Sequence, residues 1–502
     1  MAFLLGIDIG TSGTKTVLFD EQANVIATDT QEYPLYQPHN GWAEQDPEDW
    51  WKGVYTSIHN VILKSGIRDI KGIGLSGQMH GLVLLDRDGN VLRKSIIWCD
   101  QRTGKECEEI TKIVGKDRLI QITANPALTG FTASKIRWVQ NHEPEIYEKT
   151  AKILLPKDYI RYRLTGEFAT EVSDASGMQL MDIGKRQWSR EILDILEIDP
   201  ALLGKMYESS EVTGTLTKEA SELTGVPAGT PVVGGAGDQA ASAVGNGVVT
   251  SGIASSTIGT SGVVFVSTDQ MRIDPKGRVH TFCHAIPNTW HVMGVTQGAG
   301  LSLKWFRDQF CQEEISVAER LGIDPYVLMD KIAETVEPGS GGVIYLPYLM
   351  GERTPHLDPD ARGVFFGLSA IHTKAHLMRA VMEGVAFSLK DCMEIIRGMG
   401  AQVNEIRVSG GGGRSHLWRQ MQANAYGMDV STINSSEGGA LGVAILAGVG
   451  TGVYSSVPEA CSQMIRVKTT QCVEDAQRYQ KNYQLYQGIY QSLKNNFKEA
   501  AL

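Results

Sequence analysis

The chain has 502 residues, more than one ordinary domain contains, so we expect at least two domains. Charged residues at 21% and hydrophobic residues at 42% are typical of a globular protein. The net charge of −10 argues against a nucleic-acid-binding surface, but it leaves room for a small anionic ligand bound by a few local N–H groups and basic side chains.

The first 90 residues predict a sheet that begins as a meander. In chain order they predict strands over 3–9, 14–20 and 25–33, a helix that Asp46 caps, and a further strand over 70–77. This order of elements indicates a mixed sheet rather than the strict strand–helix alternation of a dinucleotide-binding unit.

The pentapeptide IGTSG occurs twice, at residues 9–13 and at residues 258–262. Each copy lies between two predicted strands, so each is expected at the tip of a hairpin that opens a sheet. The repeat predicts an α/β protein of two related lobes with a boundary near Gly247, which divides the chain into residues 1–247 and 248–502.

The second half predicts one more strand, glycine turn and helix in IRVSGGGGRSHLWRQMQAN, and a C-terminal helix. The aromatic and apolar residues of that helix recur at helical spacing, which is typical of a packing face rather than a ligand site. They are Tyr479, Tyr483, Tyr486, Tyr490, Leu493 and Phe497.

Neither secretion nor disulfide bonding is indicated. The N-terminal segment MAFLLGID has no basic region and its apolar run ends at Asp8, too early for a signal peptide. No apolar stretch reaches the ~18 residues of a membrane span. The seven cysteines form no CxxC pair, so we expect reduced thiols in a cytoplasmic protein.

The repeated glycine turns have a chemical use as well as a structural one. Glycine allows backbone N–H groups to approach a phosphate closely, and Lys15 follows the first turn with a positive charge. A simple hairpin remains the alternative for either copy alone. The GTSGTKT segment is not a nucleotide-binding Walker loop, because Thr14 precedes Lys15 where that motif requires glycine.

Residues 235–240, GAGDQA, match a short dinucleotide-binding motif, but no acidic residue follows before Thr268 to hold a ribose. Asp238 of this turn is better interpreted as a base that accepts a proton from a substrate hydroxyl, with a helix cap as the alternative. In LSGQMHG, the imidazole of His80 could pair with a polyol hydroxyl while Met79 covers the carbon chain.

The chain resembles the FGGY carbohydrate kinases over nearly all of its first 450 residues. The matching segments are GIDIGTSGTK, AEQDPEDWW, GLSGQMHG, WCDQR, LPKDYIRYRLTGEFATEVSDASG, GGAGDQAA, IGTSGVVF, YLPYLMGERTPH, GVFFGL and SGGGGRS. The resemblance implies the actin–hexokinase type of fold, in which two ribonuclease-H-like lobes enclose a central active-site cleft. It also implies that ATP phosphates lie between the two hairpins.

The resemblance further implies a role for individual residues. Asp238 would be the catalytic base, and Asp8 would face Mg²⁺, through water. Thr11, Ser12 and Lys15 would bind the outer phosphates from one lobe and Thr260 from the other, while Gly300, Gly411 and Ser415 would flank the nucleotide. Met79, His80 and Asp100 would hold the sugar. The family often has a third glycine where this chain has Ala236.

The expected reaction is ATP-dependent phosphorylation of a sugar, D-xylulose, by an enzyme that binds neither nucleic acid nor membrane and forms a homodimer. A kinase for another ketose, a polyol or an aldonic acid is the alternative within the family. Outside that class, a nicotinamide dehydrogenase and a catalytically silent sugar-binding regulator remain open, although Asp238, Asp8 and Lys15 argue against the regulator.

Overall fold

The protein is described by a computed structural model that covers residues 2–500. It contains two seven-stranded mixed sheets, one in each lobe, as the repeat predicts. The strands of the first sheet are β1 (Phe3–Ile9), β2 (Gly13–Asp20), β3 (Val25–Glu32), β4 (Gly72–Gly77), β5 (Val212–Thr215), β6 (Pro231–Val233) and β7 (Ala236–Gly237).

The first sheet is the predicted meander extended by a parallel strand. Its order is β5-β6-β4-β1-β2-β3, and β7 pairs with the end of β4. Leu5, Ile7 and Ile9 of β1 alternate onto the face covered by α1 (Pro47–Ser65). The Asp46 side chain caps α1 by accepting from the Glu48 N–H at 3.0 Å, as predicted.

The second sheet repeats the central arrangement of the first. Its strands are β8 (Gly252–Ile258), β9 (Gly262–Thr268), β10 (His280–Cys283), β11 (Trp290–Thr296), β12 (Val403–Ser409), β13 (Val430–Ile433) and β14 (Val467–Gln471). The order is β10-β11-β9-β8-β12-β13-β14. The hairpin β8–β9 lies beside the parallel strand β12, just as β1–β2 lies beside β4.

Helices cover both sheets. Those that bear on the site are α2 (Asp238–Gly245), α3 (Ala299–Phe310), α4 (Lys374–Gly398), α5 (Gly410–Arg414), α6 (His416–Tyr426), α7 (Gly438–Gly450) and α8 (Ala476–Ala500). The others span Gly104–Val114, Lys116–Thr123, Thr132–His142, Pro144–Lys149, Pro156–Thr165, Val172–Ala175, Arg190–Ile195, Lys218–Thr224, Gln312–Leu321, Pro325–Glu334 and Val457–Met464.

Short strands and turns complete the molecule, most of them in the first half of the chain. The strands are Glu44–Gln45, Val83–Leu85, Ser95–Ile96, Lys152–Leu154, Ala169–Glu171, Met181–Asp182, Gln187–Trp188, Lys205–Tyr207, Ile344–Leu346 and Val364–Phe366. Among residues 2–500 no helix combines the length and the apolar composition that crossing a bilayer requires. All seven cysteines are free thiols.

The aromatic stripe of α8 is a packing face, as predicted. Tyr479, Tyr483, Tyr486 and Tyr490 are buried against the second-lobe core. Their hydroxyls also find polar partners there, since Tyr479 donates to Glu383 Oε1 at 2.8 Å. The stripe therefore serves the fold of the second lobe.

Helix α7 comes from the second half of the chain but packs on the first-lobe sheet. A Cβ atom at Gly6 of β1 would lie 2.0 Å from the Ala440 carbonyl oxygen, and one at Gly74 of β4 would lie 1.9 Å from that of Val443. These strands therefore need glycine for the helix to approach, and the two halves of the chain share one core at this place.

Candidate active site

Asp8 and Asp238 lie close together because their strands flank β4. In the register of the sheet, Asp8 of β1 pairs with Ser76 of β4, and Ser76 pairs with Ala236 of β7. Asp238 begins α2 directly after β7, and both residues are half-buried. Sheet topology thus brings together two acidic residues that are 230 positions apart.

The surroundings of the two carboxylates favour their protonated forms. Burial raises the pKa of Asp8, although a hydrogen bond from Ser76 Oγ to Asp8 Oδ1 at 2.7 Å and the charge of Lys15 oppose this rise. Burial and then the charge of Asp8 raise the pKa of Asp238 to about 7. A carboxylate whose pKa lies near neutrality is suited to general base chemistry.

The structure does not support the alternative interpretation of Asp238 as a helix cap. Gly237 occupies the N-cap position of α2, and Asp238 is the first residue of the helix.

The carboxylate pair fits a magnesium ion that is only partly held by protein. Mg²⁺ prefers oxygen ligands and usually takes one or two carboxylates, with water and substrate phosphate completing its shell. Neither Asp8 nor Asp238 forms an ion pair with another described residue. No cluster of three or more His, Cys, Asp or Glu that could enclose a metal occurs between residues 2 and 500.

The first glycine hairpin is held in place by side chains from neighbouring segments. Its tip consists of Thr11 and Ser12, and the Gly10 N–H donates to the Gly13 carbonyl at 3.0 Å. Trp98 Nε1 donates to Thr11 Oγ1 at 2.9 Å, and Ser12 is exposed. The backbone of the tip is thereby fixed while one hydroxyl remains open to solvent.

The start of α7 approaches this hairpin from the other half of the chain. Lys15 Nζ lies 2.5 Å from Glu437 Oε2 at the N-terminus of α7. A Cβ atom at Gly439 would lie 3.3 Å from Asp8 Cγ, so the positive end of the helix dipole is beside Asp8. Glu437 therefore competes with a phosphate for the charge of Lys15.

The second hairpin has the same sequence as the first but a different turn. The Gly259 N–H donates to the Ser261 carbonyl at 3.0 Å, so Thr260 alone occupies the tip. The register of the two hairpins differs by one residue. Identical pentapeptides therefore present different groups: a Thr-Ser pair in the first lobe and a single exposed threonine in the second.

Two of the predicted nucleotide residues of the second lobe, Gly300 and Gly411, belong to segments that lie beside the Thr260 hairpin. The Gly300 and Leu301 N–H groups at the start of α3 donate to the carbonyls of Gly259 and Thr260 at 2.8 and 3.0 Å. Gly410 pairs with Ile258 next to this hairpin, and the segment that contains Gly411 forms the short helix α5 rather than an open turn.

Ser415 has a structural task in addition to its predicted one. It caps α6 by accepting from the Trp418 N–H at 3.0 Å. The contacts around Thr260 and those around Thr11 are separate, so a nucleotide shared by both hairpins remains a prediction.

Met79 and His80 lie next to the turn of Asp238. A Cβ atom at Gly237 would lie 2.9 Å from Met79 Cγ, which places the thioether side chain against the residue that precedes Asp238. His80 has a left-handed backbone with φ of 71°, unusual for a residue other than glycine. Such strain concentrates at functional sites because the surroundings must maintain it.

Two donors and one acceptor hold His80 in this conformation. Its carbonyl accepts from Lys135 Nζ at 2.8 Å and from Thr132 Oγ1 at 3.1 Å, while its Nδ1 lies 2.9 Å from the Gly177 carbonyl. Burial and the nearby charge of Lys135 lower the pKa of His80 to about 3. The imidazole is therefore neutral, and its Nε2 is left for another partner.

The segment that contains Met79 and His80 contacts the first hairpin. Thr11 Oγ1 donates to Oε1 of Gln78 at 3.3 Å, and Gln78 is the residue directly before Met79. His80 also reaches the other lobe, since its ring centroid lies 6.2 Å from that of Phe282 in β10. The segment thus lies between the first hairpin and the opposite lobe.

Asp100 differs from the other predicted sugar residues because its oxygens already have partners. It is fully buried, Oδ2 accepts from the Ala43 N–H at 2.6 Å, and Arg102 Nη2 donates to Oδ2 at 2.7 Å. Its predicted contact with the sugar stays a prediction. Sequence reasoning missed Trp98, only two residues away in the WCDQR segment, as the contact with Thr11.

Sequence reasoning also missed Lys135 and Glu437. Lys135 is fully buried and donates to two carbonyls, which no local pattern reveals. Glu437 precedes a glycine-rich helix, and its pairing with Lys15 depends on how α7 packs across the two halves of the chain. A long-range contact of this kind has no signal in a single sequence.

Two related lobes with a carboxylate pair and glycine hairpins at their strand ends define a protein of the actin–hexokinase fold. Models of the FGGY family of carbohydrate kinases match the chain, the N-terminal domain over residues 3–245 and the C-terminal domain over residues 254–451. The chain therefore belongs to the FGGY family of carbohydrate kinases, which excludes the dehydrogenase interpretation of GAGDQA.

Individual relatives cover almost the whole chain. A xylulose kinase of Bacillus subtilis is 39% identical over 499 residues, which is 99% of this chain and 98% of that protein. A gluconokinase of the same organism is 34% identical over 504 residues, covering 100% of this chain and 98% of the relative. The crystal structure of a xyloylose kinase from Brucella ovis matches with a TM-score of 0.91 at 36% identity, covering 98% of this chain and 99% of that one.

Proposed function

We propose that the protein phosphorylates D-xylulose to D-xylulose 5-phosphate with ATP, and that Asp238 is the general base. The observation that carries the proposal is the position of Asp238 beside Asp8, with a pKa of about 7 and Met79 packed against its turn. The higher identity to a xylulose kinase than to a gluconokinase supports the choice of sugar.

The chemistry requires a base, a phosphate site and exclusion of water. Asp238 accepts the proton of the terminal sugar hydroxyl as that oxygen attacks the γ-phosphorus, and the bond to the ADP oxygen breaks. Thr11, Ser12, Thr260 and their backbone N–H groups donate to the phosphates. Lys15 adds a positive charge after it leaves Glu437. Asp8 would hold Mg²⁺, which would neutralise charge on the phosphates.

The remaining predicted residues position the two substrates. The neutral imidazole of His80 pairs with a sugar hydroxyl, and Met79 covers the carbon chain. Asp100 contributes to the sugar site if Arg102 and Ala43 share its oxygens. Gly300, Gly411 and Ser415 flank the nucleotide at the second hairpin. The proposal also includes a division into lobes of residues 1–247 and 248–502, a cytoplasmic location and a homodimer.

The alternative is a kinase for another ketose, a polyol or an aldonic acid, and the 34% identity to a gluconokinase favours gluconate among these. The test measures ADP release with D-xylulose, other pentuloses, pentitols, glycerol and gluconate at equal concentrations. We expect kcat/KM for D-xylulose to exceed every other value. A higher value for gluconate would overturn the xylulose assignment while leaving the kinase chemistry intact.

A further inference from the structure

Five charged side chains are buried near the turn that carries Asp238. This ionic cluster consists of Lys157, Asp158, Arg161, Glu171 and Asp174, none of which is more than 1% exposed. Lys157 Nζ lies 3.0 Å from Asp158, 3.5 Å from Glu171 and 3.6 Å from Asp174. Buried ion pairs seldom stabilise a fold more than apolar packing would, because desolvation of the charges is costly.

The cluster holds both ends of the turn over residues 234–237, the first directly and the second through Ser173. At the first end, the Gly234 carbonyl accepts from Lys157 Nζ at 3.4 Å and from Arg161 Nη2. At the second end, the Gly237 N–H donates to Ser173 Oγ at 3.1 Å. Asp238 follows Gly237 directly, so these bonds act on the backbone that orients its carboxylate.

Glu171 fixes the serine that holds Gly237. Its Oε2 accepts from the Ser173 N–H at 2.8 Å, and its Oε1 accepts from Ser173 Oγ at 2.9 Å. Because the Ser173 hydroxyl donates its hydrogen bond to Glu171, a lone pair of Ser173 Oγ is free to accept from the Gly237 N–H. Ser209 Oγ also donates to Glu171 Oε2 at 2.8 Å, but this hydroxyl forms no hydrogen bond with the turn. Ser209 meets the turn through its backbone carbonyl, which accepts from the Gly235 N–H at 2.8 Å and is kept in an alanine variant.

We propose that the ionic cluster positions Asp238 for catalysis, with Glu171 acting through Ser173 on the Gly237 N–H. Proton transfer to a carboxylate is sensitive to small displacements, and a shift of about 1 Å can cost ~10²-fold in rate. A turn that is bonded at one end to buried cations and at the other to a serine held by Glu171 keeps the base in one place as the substrates bind. The inference rests on the proposed role of Asp238, and the cluster residues are positioning residues that do not touch substrate.

Two serine variants separate positioning from stability. Ser173→Ala and Ser209→Ala each remove one buried hydroxyl that donates to Glu171, but only Ser173→Ala leaves the Gly237 N–H without its acceptor. We expect similar decreases in Tm for both variants. We expect kcat with D-xylulose to fall by ~10- to 100-fold in Ser173→Ala alone, with the KM for ATP unchanged.

Glu171→Gln provides a second test, because an amide replaces one acceptor oxygen with a donor and disturbs the Ser173 arm without removing atoms. A loss of kcat in Glu171→Gln that resembles the loss in Ser173→Ala supports the proposal. Equal kcat values in Ser173→Ala and Ser209→Ala, at any level, overturn it. Asp238→Asn is measured in the same series. Normal turnover in that variant would refute the proposed base and with it this inference, whereas equal serine variants beside an inactive Asp238→Asn would refute only the role of the cluster.

Discussion

Asp8 and Asp238 flank the same central strand, and the negative charge of Asp8 contributes to raising the pKa of Asp238 to about 7. One carboxylate therefore tunes the other, as occurs where two acidic groups share a site. This relationship makes Asp238 a stronger base than an ordinary aspartate, and it also has a cost in stability that can be measured.

Asp238→Asn is expected to have opposite effects on activity and stability. Turnover should fall by ~10²- to 10⁴-fold because the amide accepts no proton, while ATP binding changes little. The folded-state pKa lies above the ordinary value, so ionising Asp238 costs stability progressively as the pH rises from about 4 to about 7.

The variant lacks that cost, so its Tm without substrates should exceed that of the wild type at pH 8 and match it near pH 4. Thermal denaturation at both values checks this sign. A lower Tm at pH 8 would show that the carboxylate stabilises the folded state.

The pH dependence of activity should report the same group. Asp238 must be ionised to accept a proton, so kcat/KM for the sugar should fall about tenfold per unit below a pH of about 7. His80 titrates far below this range and should not contribute. Initial rates between pH 5 and pH 9 test the expectation, and a flat profile down to pH 5 would exclude Asp238 as the titrating base.

Threonine-to-valine variants of the two hairpins should both weaken ATP binding, but they should differ in thermal stability. Thr11→Val and Thr260→Val should each raise the KM for ATP, since a hydrogen bond to a charged phosphate is worth about 1.5–3 kcal/mol. Only Thr11→Val should also lower Tm, because Thr11 Oγ1 bonds to Trp98 and Gln78 whereas Thr260 is exposed at its tip.

Trp98→Phe is the control for the Thr11 contact and should reproduce its loss of Tm. A KM effect in one hairpin variant but not in the other would contradict the common nucleotide site.

His80→Ala should weaken sugar use more than nucleotide use. Sugar hydroxyls left unpaired in the cleft would cost about 1–3 kcal/mol, a roughly 5- to 150-fold loss of kcat/KM for D-xylulose. Basal ATP hydrolysis should remain near normal. Lys135→Met removes a donor to the His80 carbonyl and should reproduce part of the sugar effect. Equal losses for all sugars and for basal hydrolysis would make His80 a structural residue.

Asp174→Asn should stabilise the protein at neutral and alkaline pH. Both oxygens of Asp174 are buried without a hydrogen-bond partner, and burial raises its pKa well above the ordinary value, against the charge of Lys157. Asp158, Glu171 and Asp238 also raise the pKa of Asp174. The cost of ionising it grows with pH, so the gain in Tm should be present at pH 8 and vanish near pH 4. A loss of Tm at pH 8 would mean that Lys157 needs this charge.

The sequence predicts the sheets better than the contacts between them. Hydrophobic alternation and glycine turns place β1 to β3 and the hairpin β8–β9 within a residue or two, because these patterns are local. The repeated IGTSG predicts two hairpins, but not that their registers differ by one residue, since register depends on the pairing of whole strands.

The candidate site shows the same limit. The sequence singles out Asp8, Asp238 and His80. In the structure the sheet places Asp8 beside Asp238, and Met79, next to His80, packs against the turn before Asp238. The sequence does not reveal that Lys15 pairs with Glu437, because that contact joins segments whose approach depends on packing. The ion pair between Arg102 and Asp100 is local, but the direction in which the Arg102 side chain turns is likewise visible only in the structure. The residue types indicate which side chains can do chemistry. Only the structure shows which of those side chains are already paired with other residues of the protein.

Helix α7 makes the two halves of the chain unequal partners. A polypeptide that stopped at Gly247 would contain a complete sheet but lack Leu441, Val443 and the other apolar residues that cover one face of it. Such a fragment would aggregate when expressed alone, and it would become soluble only with the complementary fragment present. The protein is thus suited to division into two inactive fragments. Recovery of sugar phosphorylation would then report that the two fragments have associated.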